Sequence, residues 1–292
     1  MTPRLTVVIP TRDRAALLAR TLDALDVQTG PGRPFEVIVA DDGTRDETPP
    51  ELARRGPLSF PVRSTRSRGR GPAAARNAAI ALAAADRILL LGDDTLPRSD
   101  TLARHLDCAG GRAIGVQGHI DWHPEEEITA VMRYLAPAGP QFYFEGLVPG
   151  RAIPYTAVLG SNLSAPARWF REEPFDEGFP AAAFEDTELA YRWARRGWET
   201  VYAADAVCWH SHPYREIEPF LERRRLAGEA ARYAVKKHPA LAFRTVLAPL
   251  AVGVVKAALA RIRGTGRIED QWDARTRLAF FRGCFGRRRG RA

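Results

Sequence analysis

The chain has 292 residues, 45% hydrophobic and 27% charged, which is enough apolar material for a sizeable core and excludes a disordered chain. Cys108, Cys208 and Cys284 lie far apart with no CxxC pair, which argues against a disulfide framework or zinc–thiolate site and fits a reducing, cytoplasmic compartment. The net charge of +8 is uneven: from Arg215 onward 19 Lys and Arg face 7 Asp and Glu, net +12, while residues 1–214 carry −4. The basic C-terminal part therefore reads as an anion-seeking appendage, with lipid headgroups or nucleic acid as candidate partners. The opening MTPRLTVVIP lacks a signal-peptide core, and the apolar run over 245–255 is too short to span a bilayer, so neither export nor membrane crossing is expected.

In chain order, LTVVIP, FEVIVA and RILLLG read as buried strands alternating with helical patterns over 15–27 and 72–85. That alternation predicts a parallel sheet with right-handed crossovers. The first strand ends at Thr11 and Asp13, the second at Asp41 and Asp42, the third at Asp93 and Asp94. Ligands bind beyond the carboxyl ends of such strands, so these polar residues are expected to converge on one crevice. Asp93 and Asp94 are the most informative pair. Adjacent carboxylates resist ionising together unless a cation or several donors face them, and a hard divalent ion is the simplest such partner.

From 110 to 180 the pattern is irregular, with strands expected at AIGVQGHID and YTAVLGSNLS. A helix is expected over 185–196, because Leu189, Trp193 and Ala194 share a face and Gly197 supplies a left-handed cap. WETVYA and AVCWHSH read as two short strands. Three helices are expected beyond Arg215, in REIEPFLERRRLAGEAARYAVKK, ALAFRTVLAPLAVGVVKAALARI and EDQWDARTRLAFFRGCF.

The motifs VVIPTRDR, VIVADDGTRDET, GPAAARNAAI, ILLLGDDTLP, GSNLSAPARWF, FEDTELAYRWARRGW and AVCWHSH run in this order over residues 5–212. Together they resemble the family 2 glycosyltransferases of GT-A fold. The resemblance implies an α/β, Rossmann-like, mostly parallel sheet flanked by helices, here with a helical C-terminal extension. It further implies an inverting transferase that moves a sugar from a nucleotide diphosphate sugar to an acceptor hydroxyl with Mn²⁺ or Mg²⁺. The expected domains are a GT-A body over 1–214 (a nucleotide-binding half over 1–110, an acceptor-binding half over 111–214) and the basic extension over 215–292.

Carried over by position, the resemblance makes Asp94 the metal-binding acid, with Asp93 beside it facing the nucleotide; Gly92 stands where the family's acidic triplet usually begins. Asp42 becomes the acceptor for the nucleobase, with Pro10 and Thr11 lining the same pocket. Arg12 and Asp13 replace the usual aromatic and Asn. Arg76 holds a position where a cation meets the acidic strand end or a phosphate. Asp186 inherits the role of general base, with Glu185 orienting the acceptor or the base. His210 reaches toward the metal or pyrophosphate, with His212 as its neighbouring competitor.

Each motif also has a plainer reading. Asp41 and Asp42 suit a capped turn, and the acids of FEDTEL suit the positive end of a helix dipole, with Glu188 and Arg192 as an ordinary i,i+4 pair. In HIDWH, His119, Asp121 and His123 share a strand face as metal ligands would, yet structural or acceptor-facing roles are favoured. GRGPAA lacks GxGxxG, so a dinucleotide loop is not expected. Trp169, Phe170, Phe175 and Phe179 read as core and cleft wall rather than a nucleic-acid stacking platform. A sugar nucleotidyltransferase would need a Gly-rich loop and a Lys near the N-terminus, which VVIPTRDR lacks. A noncatalytic nucleotide-sugar-binding or membrane scaffold protein is the alternative from another class. Residues 240–262, with Arg244, Lys256 and Arg261 at the margins of an apolar run, suit attachment to an anionic membrane surface, or else packing or dimer contact. The base-reading motifs of nucleic-acid modules are absent. The acceptor implied is a glycan or lipid-linked molecule of cell-envelope synthesis.

Overall fold

A computed structural model describes residues 2–32, 34–43, 45, 58–67, 69, 71–252 and 267–286. The chain divides into two compact units, Met1–Glu177 with Leu189–Pro213, and Gly178–Glu188 with Tyr214–Ala292.

The first unit is built on one eight-stranded sheet. Its strands are β1 (Leu5–Thr11), β2 (Phe35–Asp41), β3 (Val62–Arg66), β4 (Arg87–Leu91), β5 (Thr95–Pro97), β6 (Gly115–Trp122), β7 (Asn162–Pro166) and β8 (Thr200–His210), in the spatial order β3-β2-β1-β4-β7-β6-β8-β5. β3, β2, β1 and β4 run parallel, as the strand–helix alternation predicts, and β6 pairs parallel with β8. β7 enters antiparallel between β4 and β6, and the short β5 lies antiparallel along β8.

β1, β2 and β4 are apolar at nearly every position because both sheet faces are covered. On one face α1 (Ala15–Asp26) packs Leu18, Leu22 and Leu25 against Leu5, Val7, Val37 and Leu89. On the other, the small residues of α2 (Pro72–Ile80) lie close to Val8, Ile38 and Leu90, where they join Trp169, Phe170, Phe175 and Trp193 in one core. Three of the four aromatics singled out in the sequence are thus core residues. Two further helices, α3 (Thr101–Ala109) and α4 (Ala130–Leu135), precede β7, and α5 (Ala167–Glu172) follows it directly.

Several expectations shift. The helix expected over 72–85 stops at Ile80. In YTAVLGSNLS only the last residues are strand: Tyr155–Ala157 is a 3₁₀ turn, and β7 starts at Asn162. WETVYA and AVCWHSH form one strand, β8, which carries an irregularity: Gly118 faces Ala203 while the next residue, His119, faces Val207. Asn162 fills this gap, its amide donating to the carbonyls of His119 (3.0 Å) and Ala206 (2.8 Å). Its side-chain oxygen accepts from His105 Nε2 (2.8 Å), and His105 Nδ1 lies 3.0 Å from Ser164 Oγ. Burial holds the His105 pKa down at about 4, so the ring is neutral, donating through Nε2 and accepting through Nδ1. A Cβ at Gly118 would collide with the Asn162 amide.

The second unit contains α7 (Glu218–Lys237), a π-helical turn over Phe243–Leu247 and α8 (Ile268–Phe285). Gly228 and Gly283 let α7 and α8 touch at the backbone, for a Cβ on either would collide with the facing main chain. Of the run over 240–262, residues from 253 on lie outside the described residues, Lys256 and Arg261 among them. The unit also takes the first turn of α6 (Glu185–Arg195), where Glu188 is buried and bonded to His238 at 2.7 Å. Gly197 after α6 has φ 73°, the left-handed cap expected of it. No described helix is long and apolar enough to cross a membrane.

Candidate active site

The acid pair is fixed by backbone first. Immediately after β4, the Asp93 carbonyl accepts from Thr21 Oγ1 of α1 (2.8 Å) and the Asp94 carbonyl from the Ser211 amide (2.8 Å). β5 then registers Thr95 opposite His210, which brings His210 Nε2 to 3.7 Å from Asp94 Oδ2. The His210 ring is held edge-on by Trp122 and Phe142, with centroids 5.3 and 5.1 Å away. His212 lies beside it, 6.1 Å between ring centres.

Around the carboxylates, Thr11 Oγ1 donates to Asp93 Oδ2 (2.9 Å). Arg14, which the sequence reading passed over, donates through Nη1 to both Asp93 Oδ1 (3.1 Å) and Asp94 Oδ2 (2.8 Å). Burial, reinforced by the neighbouring Asp94 charge and opposed by Arg14, raises the Asp93 pKa to about 6. Arg14 stands at the N-terminus of α1 after Asp13, whose φ of 53° turns the chain. An arginine three residues past a strand end, next to a helix start, was the only signal available for it.

Gly92 has a local reason. A Cβ there would lie 2.6 Å from Thr95 Oγ1 and 3.0 Å from Asp94 Oδ1, so the position has no room for a third acid without displacing Thr95.

A second group lies at the end of β2. Asp42 accepts from Ser67 Oγ (2.6 Å) and from the Gly71 amide (3.1 and 3.0 Å), and Arg12 approaches to 3.9 Å. The carboxylate thus holds the turn before α2 while keeping lone pairs for another donor. Pro10 and Thr11 are the last residues of β1 beside it, and Asp41 pairs with Arg66 at 3.4 Å. Arg76 is buried in α2 with its guanidinium 5.3 Å from the centre of the Phe175 ring.

Glu185 and Asp186 open α6 within the second unit, next to Phe184, whose φ of 72° is unusual for a bulky residue and marks stored backbone strain. Glu185 is buried, and Asp186 Oδ1 accepts from the Thr187 amide at 2.8 Å. Phe179, the fourth singled-out aromatic, packs edge-on against Tyr233 in this unit.

HIDWH does not assemble a metal site. His119 bonds Tyr202 Oη (2.7 Å), Asp121 accepts from the Trp122 amide (2.7 Å) and His123 from the Glu125 amide (3.3 Å). Among the described residues no three His, Cys, Asp or Glu side chains form a ready cation cage. Asp94 and His210 supply two donors at one point. Were a divalent cation held there, they would supply one carboxylate and one imidazole, and water and substrate phosphate the rest of its shell.

An open, mostly parallel sheet with acids at its carboxyl edge and helices on both faces is the GT-A form of the α/β fold. Residues 6–179 match the Glycosyl transferase family 2 pattern, and the chain belongs to that family. It is 31% identical over 215 residues to validoxylamine A glucosyltransferase of Streptomyces hygroscopicus subsp. jinggangensis, covering 65% of this chain and 51% of the relative. The chain thus spans about half the length of that relative. It is 28% identical to the O-antigen chain rhamnosyltransferase RfbN of Salmonella typhimurium, over 74% of this chain and 69% of that protein. Among solved structures, the mannosyltransferase PcManGT from Pyrobaculum calidifontis, in complex with GDP-Man and Mn²⁺, superposes with a TM-score of 0.67 at 20% identity, covering 98% of this chain and 88% of that one. S. aureus TarS 1-349 in complex with UDP superposes at 0.56 with 16% identity, over 97% and 93% of the two chains.

Proposed function

We propose that the protein is an inverting glycosyltransferase that moves a sugar from a nucleotide diphosphate sugar to an acceptor hydroxyl, in the synthesis of a cell-envelope glycan or glycolipid. The observation that carries this reading is the meeting of Asp93, Asp94 and His210 at the carboxyl edge of a family 2 sheet. Asp94 and His210 would hold Mn²⁺ or Mg²⁺, which when bound would neutralise charge on the departing diphosphate. Thr11 keeps Asp93 oriented toward the nucleotide, and Asp42, with Arg12 and Pro10 nearby, accepts from the base. Arg76 supplies positive charge on the donor side.

Asp186 acts as the base. It takes the acceptor hydroxyl proton as that oxygen attacks the anomeric carbon from the face opposite the diphosphate, and Glu185 orients the acceptor or Asp186 itself.

A screen of nucleotide sugars with and without Mn²⁺, reading nucleotide release, tests the proposal. Slow metal-dependent hydrolysis of one donor is the expected result. No release from any donor, alone or with candidate acceptors, while nucleotide still binds, would favour the noncatalytic binding protein.

A further inference from the structure

We propose that Arg14 is an internal counter-ion that stands in for the divalent cation and makes metal and donor diphosphate bind together. The inference rests on the metal reading of Asp94. One guanidinium nitrogen reaches both carboxylates of the pair, 3.1 Å from Asp93 Oδ1 and 2.8 Å from Asp94 Oδ2. The carboxylate Asp94 would offer a cation is therefore already engaged, on the oxygen that also faces His210.

Arg14 covers the pair from the solvent side: its side chain is 38% exposed, those of Asp93 and Asp94 only 9% and 12%. Two buried carboxylates side by side repel, and a positive group beside them offsets that repulsion. A guanidinium supplies one charge and a fork of donors, and it is always protonated. A cation entering alone must displace it and strand that charge without a partner. A cation entering with a nucleoside diphosphate offers the released guanidinium a phosphate oxygen, for which its geometry is equally suited. Arg14 is thus a positioning residue: it holds the carboxylates of Asp93 and Asp94 aimed at one point, and it penalises metal binding without nucleotide.

The consequence is a coupling free energy between two ligands, which is reciprocal. Mn²⁺ should bind the full-length protein weakly by itself and more tightly, by about tenfold or more, with UDP or GDP, each tried in turn. In Arg14→Gln the pair loses its counter-ion. Mn²⁺ alone should then bind more tightly than in wild type, and the enhancement by nucleotide should shrink to within about threefold. Arg14→Lys, which keeps the charge but not the fork, should fall between them.

The experiment is Mn²⁺ titration followed by electron paramagnetic resonance, with and without nucleoside diphosphate, on wild type, Arg14→Gln, Arg14→Lys and Asp94→Asn. A thermal melt of each, with and without Mn²⁺, keeps the test valid if a variant is less stable; Mn²⁺ should raise the midpoint of Arg14→Gln more than that of wild type. Equal Mn²⁺ affinity and equal nucleotide enhancement in wild type and Arg14→Gln, with binding lost in Asp94→Asn, would overturn the role of Arg14 and leave the metal site standing. No Mn²⁺ binding to any variant, even with nucleotide, would overturn the metal reading and this inference with it.

Discussion

At Asp94 two demands meet, since the carboxylate is pinned by its own backbone and still offers one oxygen toward His210 and Arg14. Asp94→Ala should abolish Mn²⁺-dependent nucleotide binding by calorimetry while leaving the melting temperature nearly unchanged, because the side chain serves the site more than the core. Gly92 makes the opposite case. Restoring the family's usual acid with Gly92→Asp should lower stability by about 1–3 kcal/mol in urea unfolding, since the new Cβ meets Thr95 Oγ1 at 2.6 Å. A stable variant with stronger metal binding would mean that Thr95 yields without cost. Asp186→Asn keeps size and removes the proton acceptor. Transfer should fall by about two to four orders of magnitude with donor affinity preserved, as read by single-turnover kinetics beside equilibrium binding. Near-normal transfer would reduce Asp186 to a helix-start residue.

Among the elements, β7 and β8 flank β6, and side chains near this junction tie the three strands together. Asn162, His105 and Ser164 close it, and Arg87 Nη1 donates to Ser164 Oγ (3.2 Å), a neighbouring charge that further disfavours a protonated His105. His105 has a native pKa of about 4 against an ordinary 6.5, so the unfolded chain takes up a proton over that interval that the folded chain refuses. Its contribution to stability is therefore complete above pH 6.5 and is lost as pH falls toward 4, with a slope approaching about 1.4 kcal/mol per pH unit. Urea unfolding from pH 7 to 4 measures the slope, and His105→Gln should flatten it. The same junction marks where the sequence stopped being readable. β1, β2 and β4 announce themselves as apolar runs because they are covered on both faces, and α6 by its face and its glycine. The continuity of β8 could not be read, because it depends on Asn162, 44 residues before Ala206, filling a gap between β6 and β8. β3 was missed because VRSTR is a polar, half-exposed edge with no apolar signature. Arg14 was missed for a similar reason: its partners lie about eighty positions away, and nothing local distinguishes it from any arginine at a helix start.

For the whole molecule, the charge division is the broadest feature, net +12 from Arg215 on and −4 before it. The second unit exposes Phe243 (67%), Leu247 (52%) and Phe285 (67%), and Arg244 stands next to the first of them. Apolar side chains beside cations suit an anionic bilayer surface, where each nearby cation adds about 1 kcal/mol. The full chain should float with anionic but not neutral vesicles at low salt, and Phe243→Glu with Leu247→Glu should reduce flotation several-fold. Flotation that ignores lipid charge, or none at all, would make this surface an oligomer contact instead. The insertion of β7 has a further consequence, for the order of synthesis. The parallel half of the sheet is complete once β4 has emerged, but the strand that covers its edge begins only at Asn162. Until then the ribosome holds out an almost wholly apolar strand, paired with β1 on one edge and open on the other, with the acid pair just beyond its end. An open edge of that kind invites pairing between nascent chains. The yield of active protein should therefore depend on how quickly the ribosome traverses the residues between β4 and β7.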